Sequence, residues 1–539
     1  MADASLTDIL KNRTFRALWV GGIASNLGTM VHTVGAGWLM AMLVTNDAMV
    51  SYVQAATTLP VMIFSVLSGV LADQYDRSKV LLIAQILMMG AATVLAFSVF
   101  SGSITPYLLL IVTFLLGCGT ALHTPSWQAS VGDVVERTQI ADAVTLNSMG
   151  LNLTRSVGPA VGGVIVALFG AASAFAFNAI SFIPMILALR LFKRDASIPK
   201  EPENFTRAIR AGIRYVVMSP EITRVILRGF AFGVSAISIL ALLPLVTRDQ
   251  LSGDAMTYGI LLGAYGVGAL GAGIANAKLR ANYSSETIIR IAFSGLGFSM
   301  VGVALSPYAW LTGLIVIPAG ACWVLALSLF NVVVQLNTPR WVVGRVLSIY
   351  QTASFGGMTA GGWIWGVCAE KWSTPNALLL AAVASFIGLS IGFIIRMPTY
   401  RVVNLDPLNR FVEPEPHLEI TNRSGPVRVT VEYLIPEANS EAFLMQLNQR
   451  RRVKLRDGAR EWVLLRDIEE PAIWKESYTF PTWGEYLRCN QRPTQADAEI
   501  SKEIRALCED GKMPIVRRLI ERHRLPSTSD IAIKSNPEV

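Results

Sequence analysis

The sequence predicts an all-α membrane protein with twelve spans in two six-helix halves, followed by a smaller α+β domain. Three observations support this fold class. Of the 539 residues, 52% are hydrophobic and only 16% are charged, whereas soluble globular domains carry about 25% charged residues. The apolar residues are concentrated in long runs between Phe15 and Met397. After Met397, short alternating patterns replace these runs.

The apolar runs are long enough to cross the hydrocarbon core of a bilayer, which is ~30 Å thick and requires roughly 20 helical residues. Lipid cannot satisfy free backbone groups, and the runs lack the alternating pattern of barrel strands, so we predict helices. About twelve runs are present, at residues 15–44, 49–72, 80–101, 106–128, 141–168, 172–192, 224–247, 257–279, 286–305, 308–337, 344–369 and 375–397.

Lysine and arginine residues in the short loops predict the orientation, because positive charge is retained on the cytoplasmic side. One set of loops carries Arg77, Lys79 and the basic stretch 193–224, whereas the alternating set carries only Arg248 and Lys371. We therefore expect a multi-pass protein of the cytoplasmic (inner) membrane with both termini in the cytoplasm. The first apolar run is too long for a cleavable signal. These loops account for most of the net charge of +8, so the lipid bilayer is an expected partner and nucleic acid is not.

An internal repeat relates the two halves. The segments 158–163 (GPAVGG) and 357–362 (GMTAGG) share their glycine spacing, lie six spans apart, and each follow a loop with a proline and an arginine. Two parallel halves, 1–192 and 224–397, suit alternating access around a site near the midplane of the bilayer. The repeat residues are Gly158, Pro159, Gly162 and Gly163 in the first half, and Arg345, Gly357, Gly361 and Gly362 in the second.

A charged loop follows the second span and has the sequence GVLADQYDRSK, residues 69–79. Its glycine permits close helix approach, its first aspartate can cap or pair at a helix end, and its basic residues are retained in the cytoplasm. The loop resembles the signature of the major facilitator superfamily, with Asp76 in place of the usual glycine. The matching residues are Gly69, Leu71, Asp73, Arg77 and Lys79. The resemblance implies a charge cluster that latches one gate, and the alternative is a loop that only sets orientation.

The segment NLTRSVGPAVGG, residues 152–163, resembles the G-P-x-x-G-G pattern of the superfamily's exporters, which are commonly proton antiporters. Glycines four apart form a smooth face for a neighbouring helix, and Pro159 can bend its own helix, so packing alone is the alternative. Residues 25–39, 125–163 and 345 onward extend the resemblance to the transmembrane secretion effector group, which includes an enterobactin exporter and antibiotic-efflux proteins. This resemblance implies efflux of a small amphipathic molecule.

Arg155 is predicted to lie near mid-membrane, with about 14 residues of its span on either side. An ionisable side chain there costs ~2.5–3.5 kcal/mol on insertion and normally faces a cavity or a partner. We expect it to line the transport path, or to be held by carbonyls and asparagines of neighbouring helices. No embedded carboxylate is evident as a proton carrier, so His32 is the candidate. Further polar contacts of a mostly apolar pocket are expected from Asn26, Gln54, Asn147, Asn152, Asn178 and Gln351.

Residues 193–223 form the predicted central cytoplasmic loop. Apolar side chains fall on one helical face and basic side chains on another, namely Phe205, Ile209 and Ile213 against Arg207, Arg210 and Arg214. A basic amphipathic helix of this kind is expected to lie on the inner leaflet. A solvated linker helix is the alternative.

A linker at 398–425 and a domain at 426–525 follow the spans, and we expect the tail at 526–539 to be disordered. Alternation and helical periodicity predict strands at 427–435, 460–468, 474–480 and 515–520, and helices at 441–455, 483–492 and 496–509. The order resembles ferredoxin-like domains, in particular the antibiotic-biosynthesis monooxygenase type that pairs into a shared barrel, which implies a homodimer through this domain. An enzyme pocket would involve Trp462, Trp474, Trp483 and Asn490, although core or dimer contacts are the expected role of such aromatics.

Nucleotide-binding motifs are not supported. The segment 266–271 matches G-x-G-x-x-G but lies inside an apolar span, and no G-x-x-x-x-G-K-[ST] occurs, so we expect no cofactor, no metal and no enzyme activity. The five cysteines lack C-x-x-C spacing and are expected to be reduced. The predicted function is a proton-coupled secondary-active exporter of a siderophore or drug-like molecule. A facilitator-type importer of the same fold and a membrane-tethered ligand-sensing or monooxygenase protein are the alternatives.

Overall fold

The structure, a computed structural model, describes residues 9–135, 139–190, 205–339, 341–398, 408, 411–509 and 513–521. The tail that was expected to be disordered lies outside these residues. The chain forms two compact units, which are described separately. The helical unit comprises Met1–Phe205, Arg224–Val334 and Leu347–Tyr400, and the tail unit comprises Thr206–Thr223, Gln335–Val346 and Arg401–Val539.

Long helices make up the helical unit, as the fold class predicted. The first half contains α1 (Arg13–Leu43), α2 (Asp47–Gln74), α3 (Arg77–Phe100), α4 (Pro106–Val134), α5 (Ile140–Ser181) and α6 (Ile183–Leu189). Helix α7 (Phe205–Met218) follows, and the second half contains α8 (Pro220–Leu245), α9 (Ala255–Asn282), α10 (Ser285–Leu305), α11 (Ala309–Leu336), α12 (Val343–Trp372) and α13 (Thr374–Ile394). A short π-helical turn, Val246–Gln250, extends α8.

Nine stretches of the described chain are long and apolar enough to cross a membrane. One of them, Met149–Leu189, has 41 residues, which is roughly 60 Å of helix and about twice the hydrocarbon thickness. Gly170 breaks this stretch with a φ of 80°. Helices α1 and α12 have 31 and 30 residues but are not among the nine, because glycine and polar residues lower their mean hydropathy. The count of twelve spans therefore stays a prediction.

Side-chain caps begin several of these helices. The Asn12 side chain accepts hydrogen bonds from the N–H groups of Thr14 and Phe15 at the start of α1. Asp76 caps α3 by accepting from the N–H of Ser78 at 3.0 Å. The residue that departs from the superfamily signature therefore has a structural role, because it begins the third helix.

A four-stranded antiparallel sheet lies at the centre of the tail unit, in the order β2-β3-β1-β4. The strands are β1 (Val427–Leu434), β2 (Arg460–Arg466), β3 (Ile473–Phe480) and β4 (Ile515–Ile520), and the helices are α14 (Ser440–Asp457), α15 (Trp483–Gln491) and α16 (Gln495–Ala506). This is the ferredoxin-like arrangement that the sequence predicted. Strand β2 ends two residues early because Asp467 accepts hydrogen bonds from the N–H groups of Glu469 and Glu470 and turns the chain.

One face of this sheet packs against the helices and forms the core of the tail unit. Alternate residues of β1 are buried, namely Val427, Val429, Val431 and Tyr433. Phe443 and Leu447 of α14 pack against them, together with Trp474 and Trp483. These two tryptophans are therefore core residues, as expected.

A buried ionic network crosses this core. The Glu476 carboxylate is fully buried and accepts hydrogen bonds from the Tyr433 hydroxyl (2.8 Å), Arg450 Nε (3.0 Å) and Trp462 Nε1 (2.8 Å). Burial alone would raise the pKa of Glu476, but Arg450, Trp462 and Tyr433 outweigh that effect and hold the pKa below its ordinary value. The network therefore keeps Glu476 charged in the folded domain.

Helix α7 and the segment 335–346 pack against the α+β domain within the tail unit. The buried Tyr215 donates its hydroxyl to the Asn337 carbonyl at 3.3 Å, and the Arg456 guanidinium lies 5.4 Å from its ring centroid. The Arg492 guanidinium lies 4.0 Å from the ring centroid of Trp341. Tyr215, Trp341, Arg456 and Arg492 are called the junction below.

The opposite side of α7 is apolar and exposed. Ile213 of the predicted apolar face and the neighbouring Val217 are 50% and 65% exposed, whereas Ile209 is half-buried. Part of the predicted apolar face is therefore free. Contact of this face with a lipid leaflet stays a prediction. The side chains of residues 205–208 lie outside the described part of the structure.

Candidate functional site

The loops of the helical unit define two ends. The Arg248 end contains the connections 44–46, 101–105 and 246–254, and the Asp76 end contains 75–76, 283–284 and 395–398. Polar contacts hold loops of the same end together. The Gln250 amide, for example, donates to the Val303 carbonyl at 2.9 Å and to the Ser306 carbonyl at 2.6 Å.

Helices α2 and α12 meet along most of their length and form the first seam between the halves. Short polar side chains pair across it, as Ser65–Thr352 (2.7 Å), Thr58–Thr359 (2.8 Å) and Asn46–Glu370 (2.8 Å). Gly69 of the predicted gating motif lies at the Asp76 end of this seam, where an added Cβ would be 3.2 Å from Ser348 Oγ. Each hydrogen bond is worth only ~1 kcal/mol, so the seam can rearrange at modest cost.

Helices α5 and α9 form the second seam, through glycine. A Cβ added to Gly163 would lie 2.8 Å from the Cα of Gly259, and a Cβ added to Gly259 would lie 2.5 Å from the Cα of Gly163. The other glycines of the predicted exporter motif face α1. A Cβ added to Gly158 would lie 2.5 Å from Met30 Cβ, and a Cβ added to Gly162 would lie 3.0 Å from Val31 Cα. Any side chain at these positions would push the helices apart.

The second half repeats these contacts. Gly357 and Gly361 of α12 lie against the carbonyls of Phe230 and Val234 in α8. Gly362 faces α2 of the other half, 3.4 Å from the Ala55 nitrogen when a Cβ is added. In each half, then, the first two glycines of the motif pack on the first helix of the same half, which is α1 or α8. The third glycine faces the second helix of the opposite half, which is α9 or α2. This reciprocity agrees with the parallel repeat that the sequence predicted.

An ion pair closes the Arg248 end between the halves. Arg248 Nη2 lies 3.1 Å from Asp47 Oδ1, and Arg248 Nη1 donates to the Val44 carbonyl at 3.2 Å and to the Ala41 carbonyl. Arg248 and Asp47 are each 23% exposed. From the sequence, Arg248 is expected only to be a loop charge. The available signal for a gate is that Arg248 is one of very few basic residues in the loops of this end.

A buried ion pair ties three helices together in the second half, near the Asp76 end. Arg228 is 1% exposed, and its Nη1 donates to both Glu286 oxygens at 3.1 and 2.9 Å and to the Ile395 carbonyl at 3.1 Å. Arg290 Nε donates to the same carboxylate at 2.8 Å. Glu286 lies in the first turn of α10, at the Asp76 end, so the absence of an embedded carboxylate that could carry a proton stays a prediction. The i,i+4 spacing of Glu286 and Arg290 was the sequence signal for this buried ion pair.

Two of the predicted path residues, His32 and Asn178, line one small cavity inside the first half. Its volume is about 30 Å³, enough for about one water molecule. The other polar lining residues are Thr29, Thr33, Thr57, Thr113 and Thr120. Both ring nitrogens of His32 and both amide atoms of Asn178 are buried without a hydrogen-bond partner among the described residues. Buried polar atoms of this kind are normally satisfied, so the cavity is suited to a water or another transient partner.

Arg155 lies on the exposed surface of α5, four and eight residues before Pro159 and Gly163. It therefore shares their helical face, which is turned towards α9. Tyr265 of α9 has a buried hydroxyl without a hydrogen-bond partner in the described chain. No carboxylate among the described residues forms an ion pair with Arg155.

The remaining predicted residues are dispersed. Asn26 Nδ2 donates to the Gly22 carbonyl of its own helix at 2.8 Å, and Asn147 Oδ1 accepts from Trp127 Nε1 at 3.1 Å. Gln54 and Gln351 are half-exposed on α2 and α12. The side chains of Asp73 and Asn152 lie outside the described part of the structure. Arg77 has an interaction partner, whereas Lys79 is exposed.

The four residues predicted for an enzyme pocket of the tail domain all have structural contacts. Trp474 and Trp483 are buried in the core, Trp462 donates to Glu476, and the Asn490 amide donates to the Tyr486 carbonyl of its own helix at 2.8 Å. The described residues contain no group of three or more His, Cys, Asp or Glu side chains placed to hold a metal ion.

Comparisons with known proteins agree with this architecture. A model of the transmembrane secretion effector family matches residues 4–525. The staphyloferrin A transporter of Staphylococcus aureus is 24% identical over 67% of this chain and 90% of its own length. The enterobactin exporter EntS of Salmonella typhimurium is 25% identical over 65% of this chain and 81% of its own. Macrolide efflux protein A of Enterococcus faecalis is 24% identical over 48% of this chain and 80% of its own.

Solved structures share the fold at low sequence identity. The nucleoside transporter NupG superimposes with a TM-score of 0.57 at 11% identity, over 71% of this chain and 99% of its own. An inward-facing bacterial homologue of the lysosomal transporter Spinster superimposes with a TM-score of 0.55 at 14% identity, over 73% of this chain and 98% of its own. The family and these relatives are transporters and not enzymes. With the family match covering nearly the whole sequence, the chain belongs to the transmembrane secretion effector family of major facilitator transporters.

Proposed function

We propose that the protein exports a small amphipathic molecule across the cytoplasmic membrane by proton-coupled alternating access, with both termini in the cytoplasm. The observation that carries this proposal is the reciprocal pair of seams, in which the third glycine of each half faces the second helix of the other half. Such seams let two rigid halves rock against each other. Export as the direction is supported by the names of the enterobactin and macrolide relatives.

The Arg248 end is the proposed outer gate, closed in this structure. A partly exposed ion pair such as Arg248–Asp47 is worth about 0.2–1 kcal/mol, and the Asn46–Glu370 hydrogen bond adds ~1 kcal/mol. These small energies match the few kcal/mol that separate the two states of a transporter, which a substrate can offset by binding one state better. The contacts of the closed gate therefore stabilise the closed state by an amount that substrate binding can offset.

Arg155 is the proposed contact for an acidic group of the substrate. It is exposed on the face of α5 that is turned to α9, between the halves, and no described carboxylate neutralises it. An uncompensated guanidinium at this depth is stabilised by a water-filled cavity or an anionic ligand. The gating residues Gly69, Asp73, Arg77 and Lys79 are proposed to act at the opposite, inner gate.

His32 is the proposed proton carrier. It lies buried beside Asn178 in the cavity of the first half, with both ring nitrogens unpartnered. Imidazole is the side chain whose charge ordinarily changes between pH 5 and pH 8. The change of charge would alter the cost of keeping this cavity closed, which couples proton binding to the rocking of the halves.

Transport into inverted vesicles tests these proposals. A macrolide and a metal-free siderophore serve as probes, and an acidic vesicle interior supplies the proton gradient. We expect uptake that a protonophore abolishes, whereas uptake that survives the protonophore would indicate a facilitator. Arg155→Ala should lower uptake of an anionic probe by about tenfold or more, with Lys278→Ala, an exposed residue of α9, as the matched control.

The proton carrier is tested in the same vesicles. His32→Gln should retain gradient-independent exchange of the probe and lose its response to the gradient. His123→Gln is the matched control, since His123 is also a histidine within a helix of the first half. An unchanged gradient response in His32→Gln would exclude His32. A homodimer through the tail domain stays a separate prediction.

A further inference from the structure

The tail unit contains a second and much larger cavity, which the proposed transport function does not use. It lies between α14 and α16 and has a volume of about 850 Å³, in the range of cavities that hold a drug-sized ligand, ~300–1,000 Å³. The rest of its lining comes from Leu408, Phe411, Asn490, Gln491 and Pro493. Its apolar side chains include Leu408, Phe411, Val453 and Ile500.

The acidic residues of this cavity are already compensated. Asp457 accepts from Arg456 Nε at 3.0 Å, and both oxygens of Asp497 accept from Arg456 Nη2 at 3.1 Å. Glu499 lies 3.9 Å from Lys502 Nζ. The acids that line the cavity therefore each have a cationic partner.

Two of its cations are not compensated. Arg450 pairs with Glu476 below the cavity, but no described carboxylate forms an ion pair with Lys454 of α14 or Arg505 of α16. The Lys454 ammonium lies 5.5 Å from the centroid of the Tyr478 ring. Burial alone would lower the pKa of Lys454, but Tyr478 and Glu476 outweigh burial and raise the pKa above its ordinary value. The α14 wall of the cavity thus presents a half-buried ammonium that forms no ion pair, and the α16 wall presents an exposed guanidinium that forms none, both beside apolar surface.

We propose that this cavity binds a small organic acid with an apolar body, whose carboxylate meets Lys454 and Arg505 and whose apolar part packs on Phe411, Val453 and Ile500. Lys454 is half-buried without an ion-pair partner, which is costly, whereas Arg505 is exposed at the rim of the cavity. A carboxylate ligand would supply a counter-ion to both. This site is separate from the proposed transport path and does not depend on it.

The cavity wall leads directly into the junction. Asp457 of the wall follows Arg456, which lies over Tyr215 and whose carbonyl accepts from Arg214 Nε at 3.2 Å. Arg492 lies between the lining residues Gln491 and Pro493, and its Nη1 donates to the Asp457 carbonyl at 3.2 Å. A ligand that orders α14 and residues 490–493 therefore also orders α7 and the segment 335–346. Helix α7 joins the two halves of the chain, and the segment 335–346 joins α11 to α12. The bound acid is therefore placed to regulate transport.

Binding to the full-length protein in nanodiscs tests the proposal. Decanoate and salicylate are the probes, decanol and benzyl alcohol are the uncharged counterparts, and titration calorimetry measures the dissociation constant. We expect the acids to bind and the alcohols not to. Lys454→Gln and Arg505→Gln should each weaken binding about tenfold or more, whereas Lys475→Gln, which removes a compensated cation of β3 outside the cavity, should leave it unchanged.

Hydrogen exchange of the same samples locates the bound acid. Protection is expected in 450–457 and 490–505 and, through the junction, in 210–218. Ile500→Trp places a larger side chain in the cavity without changing its charge and should weaken binding, which covers the case in which a charge variant fails to fold. Arg155→Ala should leave binding intact, which separates this site from the transport path. Equal affinity for acids and alcohols, unchanged binding in Ile500→Trp, or protection confined to the helical unit would overturn the proposal.

Discussion

The glycine contact between α5 and α9 gives the sharpest test of the rocking mechanism. A methyl group at position 163 would lie 2.8 Å from the Cα of Gly259, about 1 Å inside the ~3.5–4.0 Å separation of carbon atoms in contact. Because the opposing atom is backbone, the helices themselves must separate. Overpacking of this kind costs about 1–3 kcal/mol. We therefore expect Gly163→Ala to shift the population towards states that are open at the Arg248 end by roughly 5- to 150-fold.

Spin-label distances at the Arg248 end measure this shift. Ser103 and Lys371 are exposed, lie at that end, and belong to different halves, so labels at these positions in a cysteine-free background report opening. Gly271→Ala is the matched control, because Gly271 lies in α9 and an added Cβ meets nothing within 4 Å. Both substitutions carry the same gain in helix propensity of about 1 kcal/mol, so their difference isolates the steric effect. Identical distance distributions in Gly163→Ala and Gly271→Ala would refute the seam.

Three further predictions follow from the buried and interfacial charges. Asp47→Asn removes the ion pair with Arg248, which should raise the open population at that end about two- to fivefold, measured with the same labels. Glu286→Gln leaves the Arg228 guanidinium buried without a counter-ion, which should destabilise the helical unit by about 3–5 kcal/mol in a denaturant titration. Glu476 has a depressed pKa in the folded tail domain, so its contribution to stability is complete above the unfolded value of about 4.3 and is lost as the pH falls through the folded value. Hydrogen exchange of β1 and β3, corrected for intrinsic rates, should show this loss in the wild type and not in Glu476→Gln.

Each of these predictions has a matched control. Asp249→Asn removes a carboxylate that also pairs with Arg248 but belongs to the same half, so it should leave the gate closed; equal opening in both variants would contradict the gate. Glu221→Gln changes an exposed glutamate of α8 and should cost less than ~0.5 kcal/mol. Glu469→Gln changes an exposed glutamate of the tail domain and should keep the acid dependence of the wild type. A Glu286→Gln protein as stable as Glu221→Gln would show that the buried ion pair contributes nothing.

The features that sequence predicted well depend on local periodicity. Long apolar runs gave the helices, alternation gave the strands of the tail domain, and equal glycine spacing at 158–163 and 357–362 indicated the repeat. Strand β2 was predicted too long because the Asx turn at Asp467 ends it. Asp76 was treated as a departure from a motif, although its capping role follows from ordinary helix chemistry.

The features that sequence missed depend on pairs that are distant along the chain. Arg248 and Asp47 are separated by 201 positions, and Arg228 and Glu286 by 58, and no local pattern joins such residues. Arg228 lies within an apolar run but close to its start, where a basic residue is ordinarily attributed to the membrane interface. His32 and Asn178 were both chosen as polar residues within spans, but only the fold brings them to one cavity.

The contact of Arg492 with Trp341 affects how a shortened version of this transporter would behave. Trp341 and Tyr215 are aromatic side chains on segments that begin and end at membrane helices. In the tail domain, the Arg492 guanidinium lies over the ring of Trp341 and the Arg456 guanidinium lies over the ring of Tyr215. A chain that stopped at residue 398 would leave both rings facing water in a basic environment. We would expect such a chain to be recovered in poor yield from membranes and to self-associate, and replacing Trp341 and Tyr215 with polar residues would be the first remedy to attempt.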